Sequence, residues 1–271
     1  RERYRQWLPN LLDSAAASGP ARLGLQPHAP NTVNTEAYRW AIAEAGRRGM
    51  PIATHLAESP EERDFVYAAS GPMRKLLESL GLWDDSILAD VGRGRTPVEH
   101  LAALMGESPI IVAHVNQCSD SDLELIQGSG ATVAYCPRAS DYFGAPRHFG
   151  PHRYRDMLAA GIPVALGTDS LINLPLAAAA PPEQGGSGVS ILDEMRLLWR
   201  RDRTDPRLLL AMATVNGAAA LGLDENAFVF RRGNRLAGLV GVQCAAGGEL
   251  LGKEPVELVL RATDPATLLL N

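Results

Sequence analysis

Cysteine, positive charge and long apolar runs are all scarce in this chain, and each scarcity removes a class of function. The three cysteines, Cys118, Cys136 and Cys244, are odd in number and far apart, which excludes a disulfide framework or zinc ribbon and fits a reducing cytoplasm. Lysine and arginine total 26 against 31 acidic residues, a net charge of -5, so the chain carries no basic footprint for nucleic acid. The sequence also lacks the run of about 18 apolar residues that a membrane helix needs. Its opening, Arg1-Glu2-Arg3-Tyr4-Arg5, has neither an initiator methionine nor the apolar core of a signal peptide, and is expected to lie inside a longer protein.

What the chain does have is enough apolar content, 46% of 271 residues, to bury one large core. Short apolar runs alternate with amphipathic stretches. Arg22 to Gln26, Pro51 to Leu56, Pro109 to Ala113, Ala131 to Cys136 and Ile162 to Gly167 read as strands. Between them, Thr35 to Arg48 has helical spacing and stops at Gly49, and Thr96-Pro97 opens a helix with a cap residue and an N1 proline. Asp120 to Ile126 and Arg153 to Ala160 repeat the pattern, and Gly161 stands where a left-handed cap is expected.

Strand and helix in strict alternation imply parallel pairing. A full β/α barrel takes eight such units over about 250 residues. The fold expected here is therefore α/β, an incomplete TIM-type barrel of about the last five units, spanning residues 1–223. Two stretches exceed a simple crossover, Pro60 to Arg95 and Leu174 to Gly188, and are expected to be lids or substrate loops. After Gly222 the texture changes to β-prone runs at Phe228 to Phe230, Leu239 to Gln243 and Val256 to Leu260, so residues 224–271 are expected to form part of a small β appendage.

Reactive side chains follow the strands: His28, then His55 with Glu58, then His114, then Asp169. At the carboxyl ends of barrel strands these positions converge on one mouth. Each has a plain alternative. His28, between Pro27 and Pro30, is also an ordinary loop histidine, His114 also a strand-end residue bonding a loop, and Asp169 also a helix N-cap. Neutral imidazole suits zinc or iron, and a carboxylate near it can move protons. His100 falls inside a helix and reads as structural, whereas His148 and His152 are left open. Cys136 has no adjoining base and reads as packing; Arg138 is expected to face substrate.

Assembled in order, the motifs are Pro27-His28-Ala29-Pro30, Thr54-His55-Leu56-Ala57-Glu58-Ser59, Ala113-His114, Cys136-Pro137-Arg138, Leu166-Gly167-Thr168-Asp169-Ser170 and Ala213-Thr214-Val215-Asn216-Gly217-Ala218. From about Leu23 to Leu223 the chain resembles the amidohydrolase superfamily, in its branch of cytosine, guanine and adenosylhomocysteine deaminases and triazine chlorohydrolases. The resemblance implies one divalent metal ion, zinc before iron. His55 and Asp169 would be ligands, with Asp169 also taking a proton from the attacking water. Glu58 would shuttle protons, His114 would polarise the substrate, and His28 would contact it.

The superfamily's first strand supplies two more ligands in a His-x-His pair, a spacing that none of the six histidines here shows, so that pair is expected upstream of Arg1. Ala139-Ser140-Asp141 also replaces the asparagine-bearing stretch usual after Cys-Pro-Arg, which bears on the substrate. Thr96-Pro97-Val98-Glu99-His100-Leu101, taken with Cys136-Pro137-Arg138, is similar to aminodeoxyfutalosine deaminases of menaquinone biosynthesis and implies a purine-like nucleoside. The expected activity is hydrolytic deamination of an amino-substituted N-heterocycle. Dechlorination or amide-ring opening at the same mouth, and a non-catalytic binding barrel, are the alternatives. The expected partner is a small-molecule substrate, and a homo-oligomer is expected by base rate only.

Overall fold

The computed structural model describes residues 4–17, 22–174, 188–244 and 254–270. Four parallel strands form its centre in sequential order: β1 (Ala53–Leu56), β2 (Ile111–His114), β3 (Thr132–Tyr135) and β4 (Val164–Leu166). Each strand returns through helical crossovers, as parallel neighbours require. Leu56, Val112, Val133 and Val164 pack into a core with Tyr38, Leu101, Met105, Ile126 and Met157 from the helices. On the other face, the register row nearest the strands' carboxyl ends is His55, Ala113, Ala134 and Ala165. Three alanines beside one histidine keep the rest of that row low.

The expected strand at Arg22 to Gln26 shrinks to one parallel bridge between Leu25 and Ile52. Pro27 and Pro30 cannot donate to a ladder, and the chain leaves extended geometry after His28, whose carbonyl still accepts the N–H of His55 at 2.8 Å. Helix Thr35–Arg48 has the predicted ends: Asn34 caps it by accepting from Ala37 N–H, and Gly49 closes it at φ 63. Thr96 and Glu99 form a reciprocal capping box on helix Pro97–Met105, with Pro97 at its start.

Residues 60–95 are helical, with helices Pro60–Ala68 and Gly71–Ser79 and a 3-10 turn at Asp85–Ala89. They carry their own small cluster, Phe65, Ala69 and Val91, with Met73, Leu77, Trp83 and Ile87 against it. Asp90 ties this unit to helix Thr35–Arg48 by accepting from Thr35 N–H at 2.8 Å and Thr35 Oγ1 at 2.5 Å. Residues 175–187, most of the second expected insertion, lie outside the described residues.

Past residue 223, β5 (Leu239–Gly241) pairs antiparallel with β6 (Thr267–Leu270). Two expected β runs are corrected. Val256 to Leu260 lies within a helix, Pro255–Arg261, and Phe228 ends a 3-10 turn, Glu225–Phe228. Val256, Leu258 and Leu260 alternate with other residues as a strand would, but Pro255 starts a helix and Leu260 is fully buried in the main core. Among the described residues no helix is long and apolar enough to cross a membrane.

Candidate active site

The carboxyl ends of β1, β2 and β4 bring His55, His114 and Asp169 together, with one ligating atom from each lying within 4.8 Å of the others. His55 Nδ1 is 2.8 Å from His114 Nε2, and their rings stack with centroids 4.9 Å apart. Glu58 Oε1 is 3.6 Å from His114 Nε2. His28, exposed, approaches His55 edge-on with centroids 5.2 Å apart, and its Nδ1 pairs with Thr32 Oγ1 at 2.7 Å. Gln26 reaches the far side of His55, 3.2 Å from Nε2.

The backbone turns sharply where these side chains leave the strands. His114 has φ 71, Val115 φ 52, Asp169 φ 56 and Ala57 φ 52. Left-handed conformations at residues other than glycine are costly, of order 1–3 kcal/mol each, and their concentration at one mouth is a mark of a functional site. Each turn is held from outside. His152 Nε2 bonds the His114 carbonyl, the Asn173 amide donates to Asp169 Oδ2, and Glu62 accepts from the backbone of Ala57 and Glu58.

The electrostatics follow from burial. Burial holds the His55 imidazole below its ordinary value and lowers that of His114 to about 4, so both rings are neutral and offer lone pairs at pH 7. Burial, with Asp169 and Glu62 nearby, pushes the Glu58 carboxyl up to about 7. A carboxyl poised there can both hold and release a proton near neutrality. With His114 neutral, its contact with Glu58 is not an ion pair. Neutral imidazole nitrogen and carboxylate oxygen converging on one point are donor types that suit a divalent transition metal.

The other sequence candidates have partners of their own. Arg138 is engaged by Glu194, accepted at Nε at 2.5 Å and at its backbone N–H at 2.9 Å, and its guanidinium also donates to the Ser190 carbonyl. Cys136 is buried, and burial pushes its thiol far above neutrality, which disfavours the thiolate. His100 is buried within its helix. His148 is exposed, whereas His152 stacks on Tyr135 with centroids 3.7 Å apart, behind His114. Asn216, in the Ala213 to Ala218 motif, donates to the Val164 carbonyl on β4, the strand that leads to Asp169.

The amidohydrolase family model matches residues 9–234. The chain belongs to that family. As an amidohydrolase it is 30% identical over 218 residues to an aminodeoxyfutalosine deaminase of Deinococcus radiodurans, covering 74% of this chain and 46% of the relative. It is 28% identical over 207 residues to a 5-methylthioadenosine/S-adenosylhomocysteine deaminase of Pyrococcus furiosus, covering 73% and 40%. The chain thus spans less than half the length of these relatives. Among solved structures, Helicobacter pylori aminofutalosine deaminase in complex with methylthio-coformycin superposes with TM-score 0.70 at 18% identity, covering 100% of this chain and 62% of that one. A zinc-bound variant of atrazine chlorohydrolase from Arthrobacter aurescens gives 0.69 at 19%, covering 99% and 54%. These likenesses establish the fold of this amidohydrolase as α/β, of the barrel type.

Proposed function

We propose that this chain carries the active site of a metal-dependent deaminase that acts on an amino-substituted N-heterocycle or its nucleoside, purine-like, with aminodeoxyfutalosine a leading example. One observation carries the reading: His55, His114 and Asp169 meet within 4.8 Å, beside a Glu58 carboxyl poised near neutrality. The kinship with deaminases of purine-type nucleosides supports the substrate class.

His55 and Asp169 would hold the ion, zinc before iron, given nitrogen and carboxylate donors. Once bound, the ion supplies a Lewis acid that lowers the pKa of the attacking water. Asp169 takes a proton from that water as it adds to the ring carbon bearing the amino group. Glu58, entering protonated, delivers that proton to the neighbouring ring nitrogen; as the adduct's hydroxyl becomes a carbonyl its proton returns to Glu58, which passes it to the amine that leaves as ammonia, and the proton held by Asp169 then restores Glu58. His114 polarises the reacting centre, and His28, exposed beside His55, contacts the bound substrate. The three unpaired thiols and the lack of a membrane helix among the described residues support a soluble cytoplasmic enzyme.

The test is bound metal by elemental analysis of the full-length protein, with ammonia release measured on amino-purine nucleosides, cytosine, guanine and aminotriazines. One metal ion per chain and ammonia from one of these substrates, cut to a small but measurable residual rate by Glu58→Gln, is the expected result. Chloride or a new carboxylate in place of ammonia would move the reading to dechlorination or ring opening. A metal-free protein that releases nothing would leave a binding barrel.

A further inference from the structure

We propose that Glu62 and Asn116 are positioning residues that fix the backbone of Glu58 and thereby aim its carboxyl, an inference that rests on the proton-transfer role given to Glu58 above. Glu62 is 3% exposed. Its Oε1 accepts the N–H of Ala57 at 2.8 Å and its Oε2 the N–H of Glu58 at 2.7 Å. Burial pushes the Glu62 carboxyl up to about 7 and the backbone amides of Glu58 and Ala57 oppose that rise, so the two hydrogen bonds to its oxygens are what the buried group has in place of water.

The carbonyl of Glu58 is held as well. The side chain of Asn116, also buried, donates from Nδ2 to that oxygen at 3.0 Å. Both polar groups of the Glu58 backbone are therefore bonded by side chains, one from the following helix and one from the loop after β2. The second holder is two residues past His114, so the segment that places His114 also places Glu58. Around them, Gln117 N–H bonds the Ala57 carbonyl at 3.1 Å and Val115 N–H the Leu56 carbonyl at 2.9 Å. With Ala57 at φ 52, an unsupported turn would relax toward the ordinary right-handed or extended regions. That relaxation would swing Glu58 away from His114 Nε2.

Ser59 caps helix Pro60–Ala68, and Glu62 stands in its first turn, where a purely helix-stabilising role is also expected. The two roles differ in what they do when Glu58 can no longer transfer protons. A positioning role acts through Glu58 and disappears with it. A general structural role does not.

The experiment is a double-mutant cycle on the full-length protein, Glu62→Ala and Asn116→Ala each in the wild-type and Glu58→Gln backgrounds, with crystal structures of the wild type and single variants. In the wild-type background each should lower kcat for ammonia release by about 10–100-fold, with KM and bound metal nearly unchanged, since about 1 Å of misplacement costs on that order. In the Glu58→Gln background neither should lower the residual rate further. Equal losses in both backgrounds, or a Glu58 carboxyl still in place in the variant structures, would overturn the inference. If the wild type releases no ammonia, the deaminase reading fails, and displacement of Glu58 in the variant structures still decides the positioning role. Should Glu62→Ala fail to fold, Glu62→Gln, which keeps one acceptor oxygen, is put through the same cycle.

Discussion

His152 Nε2 donates to the backbone carbonyl of His114 at 2.7 Å, while the His152 ring lies flat on Tyr135 at 13°. The bond falls on a residue with φ 71, so it holds a left-handed turn at the end of β2. His152→Phe preserves the stack and removes the donor. Leaving the His114 carbonyl buried without a partner should cost about 1–3 kcal/mol. In a chain of this size each kcal/mol lowers the melting temperature by about 2–4 °C. An unchanged melting curve for His152→Phe would show that the bond does not restrain the turn.

Most of the elements, and the convergence of His55, His114 and Asp169 at strand ends, were legible in the sequence because their signals are local. Thr35 to Arg48 has an Asn cap and a closing glycine, and His55, His114 and Asp169 each end an apolar run. Their holders were not, because they depend on three-dimensional proximity. Nothing local to His152 points 38 residues back to His114, nor Asn116 58 residues back to Glu58. Glu62 had a signal: Ser59-Pro60-Glu61-Glu62 has capping-box spacing, but the carboxylate reaches beyond the cap to Ala57 and Glu58. The place of Arg138 after β3 points toward substrate, but nothing local to it announces its ion-pair partner Glu194, 56 residues further on. Val256 to Leu260 misled because short alternating runs suit either a strand or one face of a helix.

Gly167 leaves room for Cys136. A Cβ added at Gly167 would stand 2.7 Å from Cys136 Sγ, a contact that neither a buried thiol nor the adjoining strand end can absorb without moving. Gly167→Ala should therefore destabilise the protein by about 1–3 kcal/mol through overpacking, and shift the segment leading to Asp169. Cys136→Ala in the same chain removes the obstructing sulfur and should recover much of the loss. Chemical denaturation of both single variants and the double variant reads the coupling directly; strict additivity would place the strain elsewhere.

Glu194 is fully buried and its carboxylate accepts twice from Arg138. Burial raises this carboxyl and Arg138 opposes the rise, so the pair is held by geometry more than by net electrostatic gain. Among the described residues, Glu194→Ala would leave the Arg138 guanidinium with the Ser190 carbonyl and Asp193, the latter 3.8 Å away. The expected cost is about 3–5 kcal/mol, measured by urea unfolding. Replacing both residues together, Arg138→Met with Glu194→Leu, should cost less than Glu194→Ala alone. If the double replacement is instead the more damaging, the pair contributes net stability.

Asn173, buried on the 3-10 turn after β4, donates its amide to Asp169 Oδ2 and so fixes the rotation of that carboxylate. Partners of this kind orient metal-binding groups, and their loss typically costs about 10–100-fold in metal affinity. Asn173→Ala should weaken binding of zinc by that factor, with the folded state otherwise intact. Asn173→Asp keeps the shape but sets a second carboxylate against Asp169; like charges at that separation repel without a cation between them, so chelation should destabilise this variant more than the wild type. Competition titration against a chromogenic chelator gives the affinities, and thermal melts with and without the chelator give the second comparison. An affinity unchanged in Asn173→Ala would mean that the left-handed turn at Asp169 aims the carboxylate without help from its neighbour.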